Sequence, residues 1–145
     1  MGVTASRKWT IISDLDAIPA VAEAIRKLSE ASVGAEGADA VEIAVVEALT
    51  NLVKHGYPDE PGRIEIAVRG ETGGVTVDIF DTGQTIPDDI LARAGTERFA
   101  FDPEDIDGLV EGGMGLSIIF MTMDVVDYSP QAGRNWLHLV RHKRN

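Results

Sequence analysis

Glu47-Ala48-Leu49-Thr50-Asn51-Leu52-Val53-Lys54-His55 carries three polar side chains at intervals of four. At about 100° per residue, a step of four turns a helix by only about 40°, so Glu47, Asn51 and His55 fall along one face. Their neighbours Ile43, Val46, Ala48, Leu49, Leu52 and Val53 are apolar. A row of carboxylate, amide and imidazole on a mostly buried helix is costly unless its members are paired or used. The plain alternative is a solvent-facing row with the core on the opposite side. The three together, ending on His55-Gly56, favour a site. A carboxylate and an amide oxygen one turn apart suit a hard cation such as Mg²⁺, held largely by waters and substrate phosphates. Glu47 beside such a cation is placed to accept a proton from an attacking hydroxyl. His55 has no His or Cys partner at zinc spacing, so no transition-metal site is assigned.

Working outward, this helix spans about 38–55, with Asp39 a plausible cap. It ends at Gly56-Tyr57-Pro58-Asp59-Glu60-Pro61-Gly62, a strong stop and turn. Upstream, Ile18, Val21, Ala22, Ile25 and Leu28 recur at helical spacing, after a cap at Ser13 or Asp14. Residues 34–37 break that helix from the next, and 7–13 read as a first strand. Downstream, Ile64, Ile66 and Val68 alternate with polar residues, and so do Val75, Val77 and Ile79. These are two strands joined by the turn Glu71-Thr72-Gly73-Gly74. Residues 84–113 are irregular and polar, with a short helix near 87–94. A helix at 116–123 and strands at 125–129 and 136–140 follow, turned at 130–133. The order β-α-α-β-β-loop-α-β-β predicts an α+β fold, a mixed and mostly antiparallel sheet with helices layered on one face.

Two further groupings carry chemistry. The strand at 75–80 ends on Asp81-Thr82-Gly83. An aspartate at a buried strand end can accept a hydrogen bond from the exocyclic amine of a base such as adenine. Gly83 lets the backbone pass close to a flat ring. Alone, Asp-Thr-Gly is more often a simple turn. The second grouping is Gly112-Gly113-Met114-Gly115-Leu116, a glycine cluster opening a helix. Free N–H groups and the helix dipole there favour an anion. It lacks the Gly-Lys-Ser/Thr ending of a P-loop and opens no βαβ unit.

The chain has 145 residues, 44% hydrophobic and 26% charged, which fits one globular domain spanning 1–145. No run approaches the roughly 20 apolar residues that cross a bilayer. The first residues carry no apolar signal-like segment. Cysteine is absent, which excludes disulfides and thiolate metal sites and fits a cytoplasmic protein. A net charge of −11 disfavours nucleic acid and anionic membranes as partners. A nucleotide would have to be held by local backbone donors and a metal ion.

In this order, Glu47–His55 resembles the N box of the GHKL ATPase/kinase superfamily. Asp81-Thr82-Gly83 resembles its first glycine box, and Gly112-Gly113-Met114-Gly115-Leu116 its second. The small size is similar to that of the RsbW-type anti-sigma-factor serine kinases. The resemblance implies a Bergerat-type α/β sandwich that binds ATP and Mg²⁺. It implies phosphorylation of a serine or threonine on a STAS-type anti-sigma-factor antagonist, binding of a sigma factor, and a homodimer. By resemblance Glu47 is the catalytic base and Asn51 the Mg²⁺ ligand. Asp81 receives the adenine amine, and Gly83 lines the base pocket. Gly112, Gly113, Met114, Gly115 and Leu116 cradle phosphate, and His55 belongs to the nucleotide site. Residues 84–113 become the ATP lid, with Arg93 and Arg98 within reach of phosphate.

The chain departs from that pattern in three places. Thr85 stands where many members have glycine. Arg134-Asn135 replaces the Gly-Thr that opens the last strand. The lid carries its own acidic residues, Asp102, Glu104, Asp105 and Asp107. A non-catalytic nucleotide-binding switch is therefore the second expectation, and an interaction domain without nucleotide the third.

Overall fold

Apolar residues at every second position, Ile64, Ile66, Val68 and Val75, Val77, Ile79, build the centre of a sheet. The computed structural model describes residues 3–97, 115–131 and 133–144. Within them the strands are β1 (Val3–Ile12), β2 (Arg63–Glu71), β3 (Gly74–Asp81), β4 (Val125–Gln131) and β5 (Arg134–His142). They form one sheet in the order β1-β2-β3-β5-β4. All four pairings are antiparallel, the pure case of the mostly antiparallel sheet expected. β1 begins at Val3, four residues before the alternation is clear in sequence.

The register places Ile66 beside Ile79 and Ile79 beside Leu137. Ile64, Ile66, Val68, Val75, Val77, Ile79, Leu137 and Leu139 therefore share one face, and all are buried. The helices α1 (Ile18–Asn51), α2 (Asp88–Glu97) and α3 (Gly115–Thr122) follow in chain order. Val21, Ile25, Val41, Val45, Ala48 and Leu49 of α1 join the sheet's apolar face in a single core, as does Ile119 of α3. The opposite face carries a polar and aromatic cluster. There Asp78 Oδ1 accepts from Trp136 Nε1 at 2.8 Å and meets His138 Nδ1 at 2.6 Å.

The predicted break between the helices falls at Gly34, whose φ of 78° interrupts α1. The helix resumes at once, so its second half starts before Asp39, and Asp39 caps nothing. At the front, Asp14 Oδ1 accepts from Asp16 N at 2.9 Å and caps a short 3-10 turn, Leu15–Ala17.

Leu139 lies mid-β5, between Val77 and Val126, and is 0% exposed. Leu139→Ala should cost about 2–5 kcal/mol, the range for a buried Leu whose cavity cannot fully collapse. Urea unfolding should report this as a lower midpoint at unchanged slope.

Candidate functional site

The second half of α1 ends at Asn51, and the chain continues through one wider turn, a π-helical segment at Leu52–Gly56. Leu52 N–H reaches both Ala48 O and Leu49 O at that transition. Such single π turns tend to occur where a helix must re-aim side chains at a site. Here the turn delivers Gly56 to the exit of β3. Gln84 N donates to Gly56 O at 2.8 Å. A Cβ on Gly83 would stand 2.5 Å from Gly56 O, so the two segments meet backbone to backbone. The requirement for glycine at 83 is thus met first by Gly56. Gly83→Val should lower stability by about 1–3 kcal/mol through overpacking, read as a reduced midpoint in urea.

A cleft of about 400 Å³ opens beside this junction. Asn51, Leu52, His55 and Gly56 line one side, Gln84 to Pro87, Ile90 and Arg93 a second, and Leu116 a third. The predicted lid begins along it. Its helix α2 starts with Asp88 and Asp89, which favour the positive end of the helix dipole. It is tied to α3 by Ser117 Oγ, which donates to Ala94 O at 3.1 Å.

Glu47 lies one turn before Asn51 and is half-buried. A Cβ on Gly115 would meet Glu47 Oε2 at 2.7 Å, so the carboxylate lies against the first residue of α3. Burial pushes the Glu47 carboxyl above its ordinary value, and the Lys54 charge opposes this in part. A carboxylate that holds its proton more tightly is a better base toward a hydroxyl than a fully solvated one.

Asp81 ends β3 on the inner face and is 3% exposed. Its Oδ1 accepts from Gly83 N at 2.8 Å and from Asn135 Nδ2 at 3.1 Å. Asn135, also 3% exposed, gives Nδ2 to Gly83 O at 3.0 Å as well. With its amide nitrogen facing two acceptors, its oxygen faces Thr85, whose hydroxyl donates at 3.0 Å. The Tyr128 hydroxyl accepts from Ile86 N, next to Thr85 in the chain, at 3.0 Å. Burial raises the Tyr128 pKa above its ordinary value, so the phenol stays protonated. Asp81 does not line the 400 Å³ cleft. It borders a dent of about 220 Å³ with Arg63, Glu65, Phe80, Thr82 and Arg134, and it is linked to the cleft through Asn135 and Thr85.

The structure therefore brings Asn51, His55, Arg93 and Leu116 to one cleft. Glu47 stands beside Gly115, while Asp81 and Gly83 lie behind Thr85 and Gln84. Gly112, Gly113, Met114, Arg98 and the acidic residues at 102–107 lie outside the described residues. No cluster of three or more His, Cys, Asp or Glu side chains able to hold a metal occurs among the described residues. Asn51 lines the cleft, and its amide oxygen is a donor of the type that suits a hard cation bound mainly by phosphates and water. The sequence alone does not mark Asn135, Thr85 and Tyr128 as neighbours of one another. Thr85 and Asn135 stood out only as departures from a pattern, and nothing in the sequence signals that these two touch.

The family described as the histidine kinase-like ATPase domain matches residues 11–141. The chain belongs to that family. This histidine kinase-like ATPase domain is 34% identical over 100 residues to a serine-protein kinase RsbW of Oceanobacillus iheyensis, covering 68% of this chain and 61% of that one. It is 37% identical over 87 residues to an anti-sigma F factor of Geobacillus stearothermophilus, covering 59% and 56%. An anti-sigma F factor of Bacillus velezensis is 34% identical over 105 residues, covering 70% and 67%. The matches to the first two relatives thus span about three-fifths of each relative's length. The crystal structure of the RsbU and RsbW domains of Rv1364c from Mycobacterium tuberculosis shares the fold. Its TM-score is 0.59 at 18% identity, covering 98% of this chain and 34% of that one. Among the described residues, no helix is long and apolar enough to cross a membrane.

Proposed function

We propose that this histidine kinase-like ATPase domain binds ATP with Mg²⁺ and phosphorylates a serine or threonine on a small antagonist protein. The observation that carries this reading is Glu47. It is a half-buried carboxylate with a raised pKa, one helical turn from the cleft-lining Asn51, against the start of α3. A module that only bound partners would gain nothing from placing a carboxylate there. The names of the similar proteins, serine-protein kinase RsbW and anti-sigma F factor, support the same reading and add a sigma factor as a second partner.

Asn51 would hold the metal, which would supply neutralisation of phosphate charge. The N–H groups at the start of α3 would bind the phosphates, and Arg93 lies within the same cleft. Glu47 takes the proton of the incoming hydroxyl. The oxygen–phosphorus bond to the protein forms as the bond from the γ-phosphorus to its bridging oxygen breaks, and ADP leaves with that electron pair. The lid expected over 84–113 lies within the described residues only as far as 97, and 1–145 are proposed to function as one domain. A homodimer in the cytoplasm, with a STAS-type antagonist as substrate, completes the proposal.

Incubation with labelled ATP, Mg²⁺ and the antagonist should move label to the antagonist. The Thr85 and Asn135 departures favour a second reading, a non-catalytic nucleotide switch. Saturable ATP binding without any transfer of label would select that reading over the kinase. Sedimentation should give a particle of twice the chain mass for the homodimer, and a monomer at working concentration would remove that part.

A further inference from the structure

We propose that Thr85 and Asn135 form a coupled pair of positioning residues that orient Asp81 for recognition of an amine-bearing base, resting on the nucleotide-binding reading above. The two residues are 50 positions apart, yet the Thr85 hydroxyl donates to Asn135 Oδ1 at 3.0 Å. The proton order in this chain is fixed by its chemistry. Asp81 Oδ1 and Gly83 O are acceptors only, so Asn135 must present its NH₂ to them. Its oxygen then needs a donor, and Thr85 supplies it. Threonine at 85 and asparagine at 135 therefore satisfy each other, and neither position is a simple loss of a family residue.

The consequence falls on Asp81. Both donors, Gly83 N and Asn135 Nδ2, engage Oδ1, and Oδ2 accepts no bond from a described residue. Among the described residues the one fully enclosed side-chain nitrogen or oxygen without a partner is Arg141 Nε, so Asp81 Oδ2 is not of that kind. With Oδ1 held by two protein donors, Oδ2 is left for an incoming donor. An acceptor fixed in this way pairs with an exocyclic N–H₂ and opposes a carbonyl oxygen in its place. Thr85 lines the cleft, so the pair joins the cleft wall to the buried carboxylate.

The test compares ATP with inosine triphosphate, which carries a carbonyl where adenine carries its amine. Titration calorimetry in Mg²⁺ is run on the wild type, Thr85→Gly, Asn135→Ala, the double variant and Thr85→Ser. The wild type should prefer ATP. Asn135→Ala and Thr85→Gly should each shrink that preference by roughly 5-fold to 100-fold, the range for a lost buried hydrogen-bond partner. The double variant should shrink it no further than Asn135→Ala alone, and Thr85→Ser should restore it. Thermal unfolding identifies variants that fail to fold, and for these Thr85→Ser against Thr85→Val gives the comparison. Selectivity unchanged in the single variants, or additive losses in the double, overturns the coupled pair and leaves nucleotide binding intact. A wild type that binds neither nucleotide overturns both readings.

Discussion

Glu47→Gln should reduce phosphotransfer to the antagonist by about 100-fold to 10,000-fold, the range for loss of a general base. ATP affinity should change only a few-fold, because Glu47 does not line the nucleotide cleft. The glutamine keeps the shape that packs on Gly115 and removes only the capacity to take a proton. The pH dependence follows from the direction of the shift. The base works when deprotonated, and burial raises its pKa above the ordinary glutamate value. Activity should therefore fall, on acidification, at a higher pH than a solvated glutamate would give. That acid limb should vanish in Glu47→Gln, where the residual rate no longer depends on this group. Single-turnover transfer measured across pH checks both statements. Wild-type rates in the glutamine variant would remove Glu47 from the chemistry.

Asn51→Ala should remove the protein's ligand to the metal. The loss in Mg²⁺-dependent ATP affinity should be at least the roughly 10-fold to 100-fold seen when even outer partners of a metal are removed. Binding measured in EDTA should be the same for the variant and the wild type, because the amide then has no cation to hold. Calorimetry with and without Mg²⁺ separates the two. An equal loss in both conditions would mean that Asn51 contacts the nucleotide rather than the metal.

The sheet and its order of elements were legible because β2 and β3 carry apolar residues at every second position over 64–68 and 75–79, and a period of two admits one burial pattern. Glu47, Asn51 and His55 were legible as a row because the helix period is fixed. Asn51 and His55 line the cleft, and Glu47, one regular turn before Asn51, packs against Gly115. Nothing in Leu52-Val53-Lys54-His55-Gly56 marks a π turn. Its last residue, Gly56, is held by the tertiary bond from Gln84 N, which the local sequence does not show. The same holds for Thr85 and Asn135. Each is an unremarkable polar residue alone, and only the antiparallel pairing of β3 with β5, which sets Asp81 beside Asn135, gives them a shared function. Asp39 illustrates the converse. It has the chemistry of a helix cap, but the helix restarts directly after Gly34, whose backbone makes the turn without one.

The most direct measurement is a calorimetric titration of the wild-type protein with ATP in Mg²⁺. The expected result is saturable binding of one nucleotide per chain, weakened by EDTA and by Asn51→Ala. Absence of binding, or binding indifferent to both, would contradict a nucleotide site in the cleft beside Asn51.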